Sequence, residues 1–373
     1  MNALGANTTG TQNIAVGVET LDANTTGNYN VAVGKASLGG NTTGDNNTGI
    51  GHEALVSNTT TDNNTALGYK ALYANTAAEN TAFGSNSAVT NTTGTKNVSV
   101  GAWSLRYNTT GNYNTAIGYQ ALNANTTSSN NTAVGYNALQ AATSTGDRNT
   151  AVGSEALEVA TTAQKNTALG YQALHACTTG GDNTALGAFA LLVNTTGGSN
   201  IAIGQGSLES NTTSSWNVAI GVGCLQSNTT GTKNIAIGYA ALDAASTVDW
   251  NVAIGYNALT ACTTGAQNVA VGGAALEDCT TGDYNTALGM EAGRNLTTGD
   301  QNTMLGRNAM GGANTITGDH NTCVGSEAGR DISSGEHNAG VGRYSLSSCT
   351  TGSYNTGCGS NSLPSNTTGA SNV

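Results

Sequence analysis

Positive charge is scarce in this sequence, and charge of either sign is uncommon. Lysine and arginine together number 11, against 22 aspartates and glutamates, which gives a formal net charge of −11 in 373 residues. Because nucleic-acid-binding proteins need a basic surface, this balance argues against a nucleic-acid partner. Charged residues make up only 9% of the chain, so the highly charged composition of a disordered protein is also excluded.

Proline, long apolar runs and catalytic motifs are also missing. Pro364 is the one proline, and the 52 glycines follow no Gly-x-y period, so the chain is not collagen. No apolar run approaches the roughly 18 residues that span a bilayer, and no signal-peptide pattern is present. We therefore expect no membrane insertion in this segment. The absence of a Ser/His/Asp set, a phosphate loop or a paired-carboxylate pocket predicts no enzyme activity and no cofactor.

What the sequence contains instead is a repeat of 17 residues. Its constant part is Asn-x-Ala-x-Gly followed by x-x-Ala-Leu. In the unit that begins at Asn108, which defines position 1, Asn114 is position 7, Ala116 position 9, Gly118 position 11 and Leu122 position 15. We call these four the asparagine, alanine, glycine and leucine columns. A repeat array is one object however long it grows, so we expect a single array over residues 1–373.

The repeat predicts an all-β parallel β-solenoid of the roll type, with about 22 coils. Positions 7 to 11 alternate β-branched and small residues, which is a strand pattern. We expect two short strands and two turns per coil, a ladder of stacked asparagines, and glycines at positive φ or at close backbone approaches. Changes of repeat length fall outside the pentapeptide and predict loop insertions and deletions.

The core is predicted to consist of the leucine column and the aliphatic residues at position 10. The alanine column (Ala116, Ala133, Ala168, Ala185) is predicted to lie at a contact between chains, because small side chains permit close approach. These assignments predict burial for Leu122, Leu139, Leu174 and Ile117, and exposure for Gln120 and Asn137.

Two regions depart from the regular array. Neither end carries a cap, and bare solenoid ends expose apolar faces and unpaired edges. We expect either a window of a longer protein or a subunit that stacks end to end. Residues 279–348 form a modified stretch, which loses the core leucine at Gly293, Met310 and Gly329 and gains arginines.

The run Asn-x-Ala-Ile-Gly-x-x-Ala, as at residues 114–121, resembles the head repeat of trimeric autotransporter adhesins. That family folds each chain into a left-handed parallel β-roll, and three rolls pack about a threefold axis. The longer form at 108–122 is similar to repeats of bacterial and phage fibre proteins, some of which end in an endosialidase-type intramolecular chaperone. The resemblance covers essentially the whole chain and implies a homotrimeric fibre. The present unit is longer than the usual adhesin head unit, and the sequence shows no stalk or anchor.

We therefore expect a structural and adhesive fibre segment, extracellular at a cell or virion surface. Its partners would be further copies of itself, as a homotrimer or by end-to-end stacking, and a host-surface glycan or protein. Two alternatives stay open. The first is the shaft of a phage tail fibre or tailspike whose catalytic or chaperone domain is missing, and the second is a self-stacking, glycosylated extracellular filament.

Acidic and histidine side chains give the candidate metal ligands. Four consecutive units carry an acid at position 5: Asp283, Asp300, Asp319 and Glu336. Calcium is one explanation. The other is neutralisation by arginines of the same segment (Arg294, Arg307, Arg330, Arg343), which we prefer. His320 and His337 fall at position 6 of consecutive units, where exposed turn residues are favoured over a metal site. We expect no bound metal.

Three further residue types occupy the turns. Cys262 and Cys279 are one unit apart, a spacing that permits a disulfide, although position 1 also accepts other small residues. Tyrosines recur at position 12 and either contact glycans or cover turns. Units that begin Asn-Thr-Thr are glycosylation sequons or turn-capping residues: Asn7, Asn24, Asn41, Asn58, Asn91, Asn108, Asn125, Asn194, Asn211, Asn228 and Asn366.

Overall fold

In a computed structural model, the described residues form 21 strands of three residues each, one per repeat. The structure describes residues 3–142, 145–312 and 314–373, and no helix occurs within these ranges. The chain divides into two compact units, Met1–Ala185 and Leu186–Val373. Within the described ranges, accordingly, no helical segment could span a bilayer.

The first unit contains ten complete strands, each paired in parallel with the next along the chain. They are β1 (Ile14–Val16), β2 (Val31–Val33), β3 (Thr48–Ile50), β4 (Thr65–Leu67), β5 (Thr81–Phe83), β6 (Val98–Val100), β7 (Thr115–Ile117), β8 (Thr132–Val134), β9 (Thr150–Val152) and β10 (Thr167–Leu169). Strand β11 (Thr184–Leu186) contains the division between the units.

The second unit repeats this arrangement with ten further parallel strands. They are β12 (Ile201–Ile203), β13 (Val218–Ile220), β14 (Ile235–Ile237), β15 (Val252–Ile254), β16 (Val269–Val271), β17 (Thr286–Leu288), β18 (Thr303–Leu305), β19 (Thr322–Val324), β20 (Ala339–Val341) and β21 (Thr356–Cys358). The chain is thus a parallel β-solenoid with one turn per repeat, as the sequence predicts.

Strand register is kept where the repeat length changes. Thr65 pairs with Thr81 across a short repeat, Thr132 with Thr150 across a longer one, and Thr303 with Thr322 across the longest. The missing or extra residues therefore lie in the turns, which confirms the prediction from the sequence.

The asparagine and glycine columns behave as predicted. Asn131 donates its backbone N–H to the side-chain Oδ1 of Asn114 at 3.1 Å, and Asn114 Nδ2 donates to the carbonyl of Ser128 at 2.9 Å. Gly118 has a φ of +135°, and a Cβ there would lie 2.3 Å from the carbonyl oxygen of Gly135. A side chain in the glycine column would therefore collide with the next coil.

The core prediction is correct for the leucine column and wrong for position 10. Leu122, Leu139 and Leu174 are fully buried, whereas Ile117 is 38% exposed. The interior side of each strand carries the alanine column, with Ala116 at 0% exposure. The cross-section of one coil is so small that the strand contributes only a methyl group to it. The larger β-branched residues at positions 8 and 10 consequently point outward.

The alanine column therefore lies inside its own coil, and the prediction that it forms an inter-chain contact is wrong. Ala133, Ala168 and Ala185 are all fully buried within the single chain. The predicted exposure of Gln120 and Asn137 is not found. Gln120 is half-buried, and Asn137 is only 9% exposed.

The predicted second strand of each coil is replaced by a turn in the described residues. Two residues per coil in this segment have left-handed backbone conformations, for example Gln120 with φ 57° and Leu122 with φ 50°. Alternating left-handed residues break extended geometry. Backbone hydrogen bonds between coils persist here nonetheless, as from the N–H of Leu122 to the carbonyl of Ala138 at 3.0 Å.

Candidate functional site

The outer side of the strands is the most regular exposed surface in each unit. We call the residues at positions 8 and 10 the outer strand face. Val16 is 57% exposed and Phe83 is 52% exposed, although both are apolar strand residues. The exposed large apolar residues of this face are Ile14, Val16, Ile50, Phe83, Val98, Ile117 and Leu169 in the first unit and Leu186, Ile201, Ile235, Leu288, Leu305 and Val341 in the second.

The outer strand face carries no charge. Position 8 is threonine, valine, isoleucine or alanine in every strand, and position 10 is aliphatic except at Phe83 and Cys358. Parallel sheets are normally covered on both faces, and large exposed apolar strips mark interaction surfaces. This face therefore has the composition of a contact surface rather than that of a solvated one.

Stacked rings flank the strands at positions 6 and 12. Tyr119 and Tyr136 stack with ring centroids 5.8 Å apart, and Tyr239 and Tyr256 with centroids 5.4 Å apart. These four tyrosines remain between 41% and 62% exposed. Lys233 adds a cation, with its Nζ 4.1 Å from the ring centroid of Trp250.

No protein-family model and no curated protein sequence matches this chain. The arguments that follow therefore rest on its own geometry.

The position 5 acids take part in a backbone ladder. The N–H of Asp283 donates to Oδ1 of Asp300 at 2.8 Å, and the N–H of Asp300 donates to Oδ1 of Asp319 at 2.8 Å. At Glu336 the ladder passes to a serine, since the N–H of Glu336 donates to Oγ of Ser353 at 3.0 Å. Each bond satisfies a turn N–H of the coil before the acceptor, which gives the side chains of Asp300 and Asp319 a structural role.

Within the part of the chain that the structure describes, the ion pairs of Arg294, Arg307 and Arg330 are formed with carboxylates other than these four acids. Arg294 Nε lies 2.8 Å from the carboxylate of Glu277, and Arg307 and Arg330 both contact Glu327. These carboxylates belong to the turn that follows the strand, at positions 13 and 16. The position 5 acids precede the strand and lie outside the arginines' ion pairs.

In the modified stretch, larger side chains from the alanine column fill the space left by the missing leucines. A Cβ on Gly293 would lie 2.6 Å from Sδ of Met304, and one on Gly329 would lie 2.4 Å from Sγ of Cys323. Met304 and Cys323 occupy the alanine column, where they are fully buried. A larger side chain on the strand thus fills the space that the missing leucine would occupy.

His320 and His337 stack on each other with centroids 4.7 Å apart, and Tyr354 continues the stack. Both imidazoles are exposed, as predicted for turn residues.

The sequon asparagines form a second buried ladder. Asn41 Nδ2 donates to Oδ1 of Asn24 at 3.0 Å and to the carbonyl of Gly44 at 3.0 Å. Nδ2 is the atom that would carry a glycan, so this arrangement leaves no room for one on the folded coil. Full burial is shared by Asn24, Asn41, Asn58, Asn91, Asn108, Asn125, Asn194, Asn211 and Asn228, whereas Asn7 is exposed and Asn366 half-buried.

Cysteines at position 1 take over this capping role as free thiols. Cys262 Sγ lies 3.2 Å from the carbonyl of Gly265, and Cys279 Sγ lies 3.6 Å from that of Gly282. Burial raises the pKa of Cys262 to about 11 and that of Cys279 to about 12. These thiols are protonated, inert packing groups at neutral pH.

One side-chain cluster was not predicted from the sequence. Glu155, Glu158 and His175 bring their ligand atoms within 4.8 Å of one another, the one such group among the described residues. His175 Nε2 lies 2.9 Å from Oε2 of Glu158. The residues occupy position 13 and position 16 of one coil and position 16 of the next, so the 17-residue spacing of Glu158 and His175 was the available signal.

Proposed function

We propose that this chain is a structural element of an extracellular fibre in which copies pack side by side through the outer strand face. The observation that carries the proposal is the uncharged strip of threonine and aliphatic residues repeated along the outer strand face. About ten coils at about 4.8 Å spacing give a strip on the order of 50 Å long in one unit. Such a strip exceeds what soluble monomers normally leave in water.

The period of the strip favours a second copy as its occupant. A partner must present complementary side chains at every coil spacing to cover the face, and this chain has that period itself. The chain also carries a net charge of −11, so copies repel one another except where they meet through uncharged surface. Three copies per fibre is the arrangement that the resemblance to adhesin heads implies, and an adhesive role follows from the same resemblance.

The test is the mass of the purified protein and of a charged variant. We expect the wild-type chain to be oligomeric at micromolar concentration by light scattering coupled to size-exclusion chromatography. Ile117→Glu with Val134→Glu places two charges on adjacent coils of the outer strand face and should yield monomers, because contact would bury both charges unpaired. Thr110→Glu with Thr127→Glu is the matched control, since it adds the same charge to the same coils on a different side.

Two results would contradict the proposal. A wild-type protein that is monomeric at micromolar concentration rules out lateral association and favours end-to-end stacking. An Ile117→Glu and Val134→Glu variant that keeps the wild-type mass places the interface elsewhere.

A further inference from the structure

The cluster of Glu155, Glu158 and His175 has the donor set of a transition-metal site. It offers one imidazole nitrogen and two carboxylate oxygens from two adjacent coils. Nitrogen and oxygen donors of this kind bind Zn²⁺ and similar first-row divalent cations. The glutamate side chains are long and partly exposed, so ligand atoms that lie up to 4.8 Å apart can adjust to the roughly 3.4 Å separation expected of ligands about 2.1 Å from a tetrahedral ion.

One oxygen of each carboxylate accepts a hydrogen bond from a neutral amide. Asn137 Nδ2 donates to Oε1 of Glu158 at 3.0 Å, and Gln172 Nε2 donates to Oε2 of Glu155 at 2.6 Å. Oε2 of Glu158 is the oxygen that faces His175. Amide donors that bond the outer oxygens of metal-binding carboxylates orient them toward the ion and strengthen binding.

Charge distinguishes this cluster from its counterparts in the same turn. In the second unit, Arg294 occupies position 16 one coil after Glu277, as His175 does after Glu158, and it lies 2.8 Å from Glu277. Arg294 also lies 3.6 Å from Glu291 of its own coil, so one permanent cation contacts two carboxylates. Among the described residues, no lysine or arginine forms an ion pair with Glu155 or Glu158. An imidazole nitrogen can bind a metal ion, whereas the guanidinium group of arginine offers only donors. The residue beside the two carboxylates is therefore a potential ligand rather than a competing cation.

We propose that Glu155, Glu158 and His175 bind a divalent transition-metal cation of the Zn²⁺ class. The ion neutralises the paired carboxylates and ties the two coils together, with water completing its coordination. The site is independent of the outer strand face and of any fibre role.

Zn²⁺ titration of the full chain in a chelator-free buffer at pH 7.5 tests the site. We expect one calorimetric binding event assigned to this cluster, weakened at least tenfold by His175→Gln and by Glu158→Gln. His175→Gln should fold, because Gln226 already makes the same contact with Glu209 three coils further on, Nε2 to Oε2 at 2.6 Å. Glu209→Gln is the matched control and should leave Zn²⁺ binding unchanged. Circular dichroism confirms that each variant keeps its fold.

A second variant separates this site from the stacked histidines. His320→Gln with His337→Gln should retain the binding event, and X-ray absorption of the bound zinc should report one imidazole with oxygen ligands. The proposal is overturned if the wild-type chain binds no Zn²⁺ up to about 100 µM. It is also overturned if His175→Gln binds as the wild type does, or if only the His320/His337 variant loses binding.

Discussion

Single asparagines in the position 7 column each stabilise two junctions between coils. Asn268 donates its N–H to Oδ1 of Asn251 at 2.9 Å and its Nδ2 to the carbonyl of Gly282 at 2.7 Å, and its Oδ1 accepts the N–H of Asn285 at 2.8 Å. All of these groups are buried, so removing the amide leaves a donor and an acceptor without partners.

We expect Asn268→Ala to lower the free energy of unfolding by about 2–4 kcal/mol, from two orphaned buried groups at about 1–3 kcal/mol each, partly relieved by water. Guanidinium titration followed by circular dichroism measures the change. Val269→Thr is the control, because position 8 is threonine in many coils, and it should stay within about 0.5 kcal/mol of the wild type. Equal stability of Asn268→Ala and the control would show that the ladder contributes little.

The buried thiols make a pH-dependent prediction. Burial raises the pKa of Cys177 to about 12 and that of Cys262 to about 11, above the ordinary value of 9.0. Iodoacetamide at pH 8 should therefore modify Cys358, the exposed thiol of the seven, and leave the six buried ones intact until the chain unfolds. Mass spectrometry of the native protein counts the modified residues, and rapid modification of several thiols would contradict the packing.

The same shifts affect stability at alkaline pH. Because unfolded thiols lose their protons near pH 9 and the folded ones near 11 to 12, the unfolded state binds fewer protons in between. The contribution of each thiol is complete below pH 9 and is lost as the pH rises toward 12. The melting temperature should fall over this window, and substitution of the buried cysteines by serine should reduce the slope.

The two sides of each strand differ in how large a side chain they can accommodate. Ala168 is fully buried, whereas the next residue, Leu169, is 45% exposed. Ala168→Phe should destabilise the fold by about 3 kcal/mol or more, because a narrow interior cannot accept a ring. Leu169→Phe is the control, since the array already carries Phe83 at this position, and it should be nearly neutral. Thermal unfolding distinguishes them, and similar melting temperatures would contradict the assigned interior.

An element could be predicted from the sequence where only one or two residue types are compatible with its conformation. The ladder of Asn114 and the positive φ of Gly118 could be predicted, because few residues serve either purpose. The direction of the strand faces could not, since an alanine column suits both a narrow interior and a close contact between chains. The turn after the strand was hidden because Leu122, a residue that normally avoids the left-handed region, adopts φ 50° there.

The metal-ligand cluster escaped prediction for a related reason. Glu158 and His175 share position 16 of consecutive coils, so the repeat signals the proximity of that pair, whereas Glu155 lies at position 13. The approach of Glu155 to His175 also depends on the fold of the turn, which the pattern did not specify. By contrast, the stacking of His320 and His337 could be predicted, because equal positions in consecutive coils lie side by side.

At the scale of the molecule, net charge opposes the association that we propose. Copies with a charge of −11 repel at low ionic strength, and salt screens that repulsion over about 10 Å at 0.1 M. Raising NaCl from about 20 to about 500 mM should therefore increase the oligomeric fraction, since apolar contact is insensitive to screening or strengthened by salt. Sedimentation velocity measures the fraction, and dissociation by salt would instead indicate an interface held by ion pairs.

Parallel pairing in constant register also bears on how such a gene can evolve. Val218 meets Ile235 in the same way that Ile235 meets Val252, so one junction between coils is geometrically interchangeable with another. Unequal recombination between repeats would remove or duplicate a whole coil. The coils on either side of the new junction would still have matching surfaces, so the strand register would not change. Length polymorphism in steps of one repeat is thus structurally neutral, whereas smaller insertions must be accommodated in a turn, as between Thr303 and Thr322.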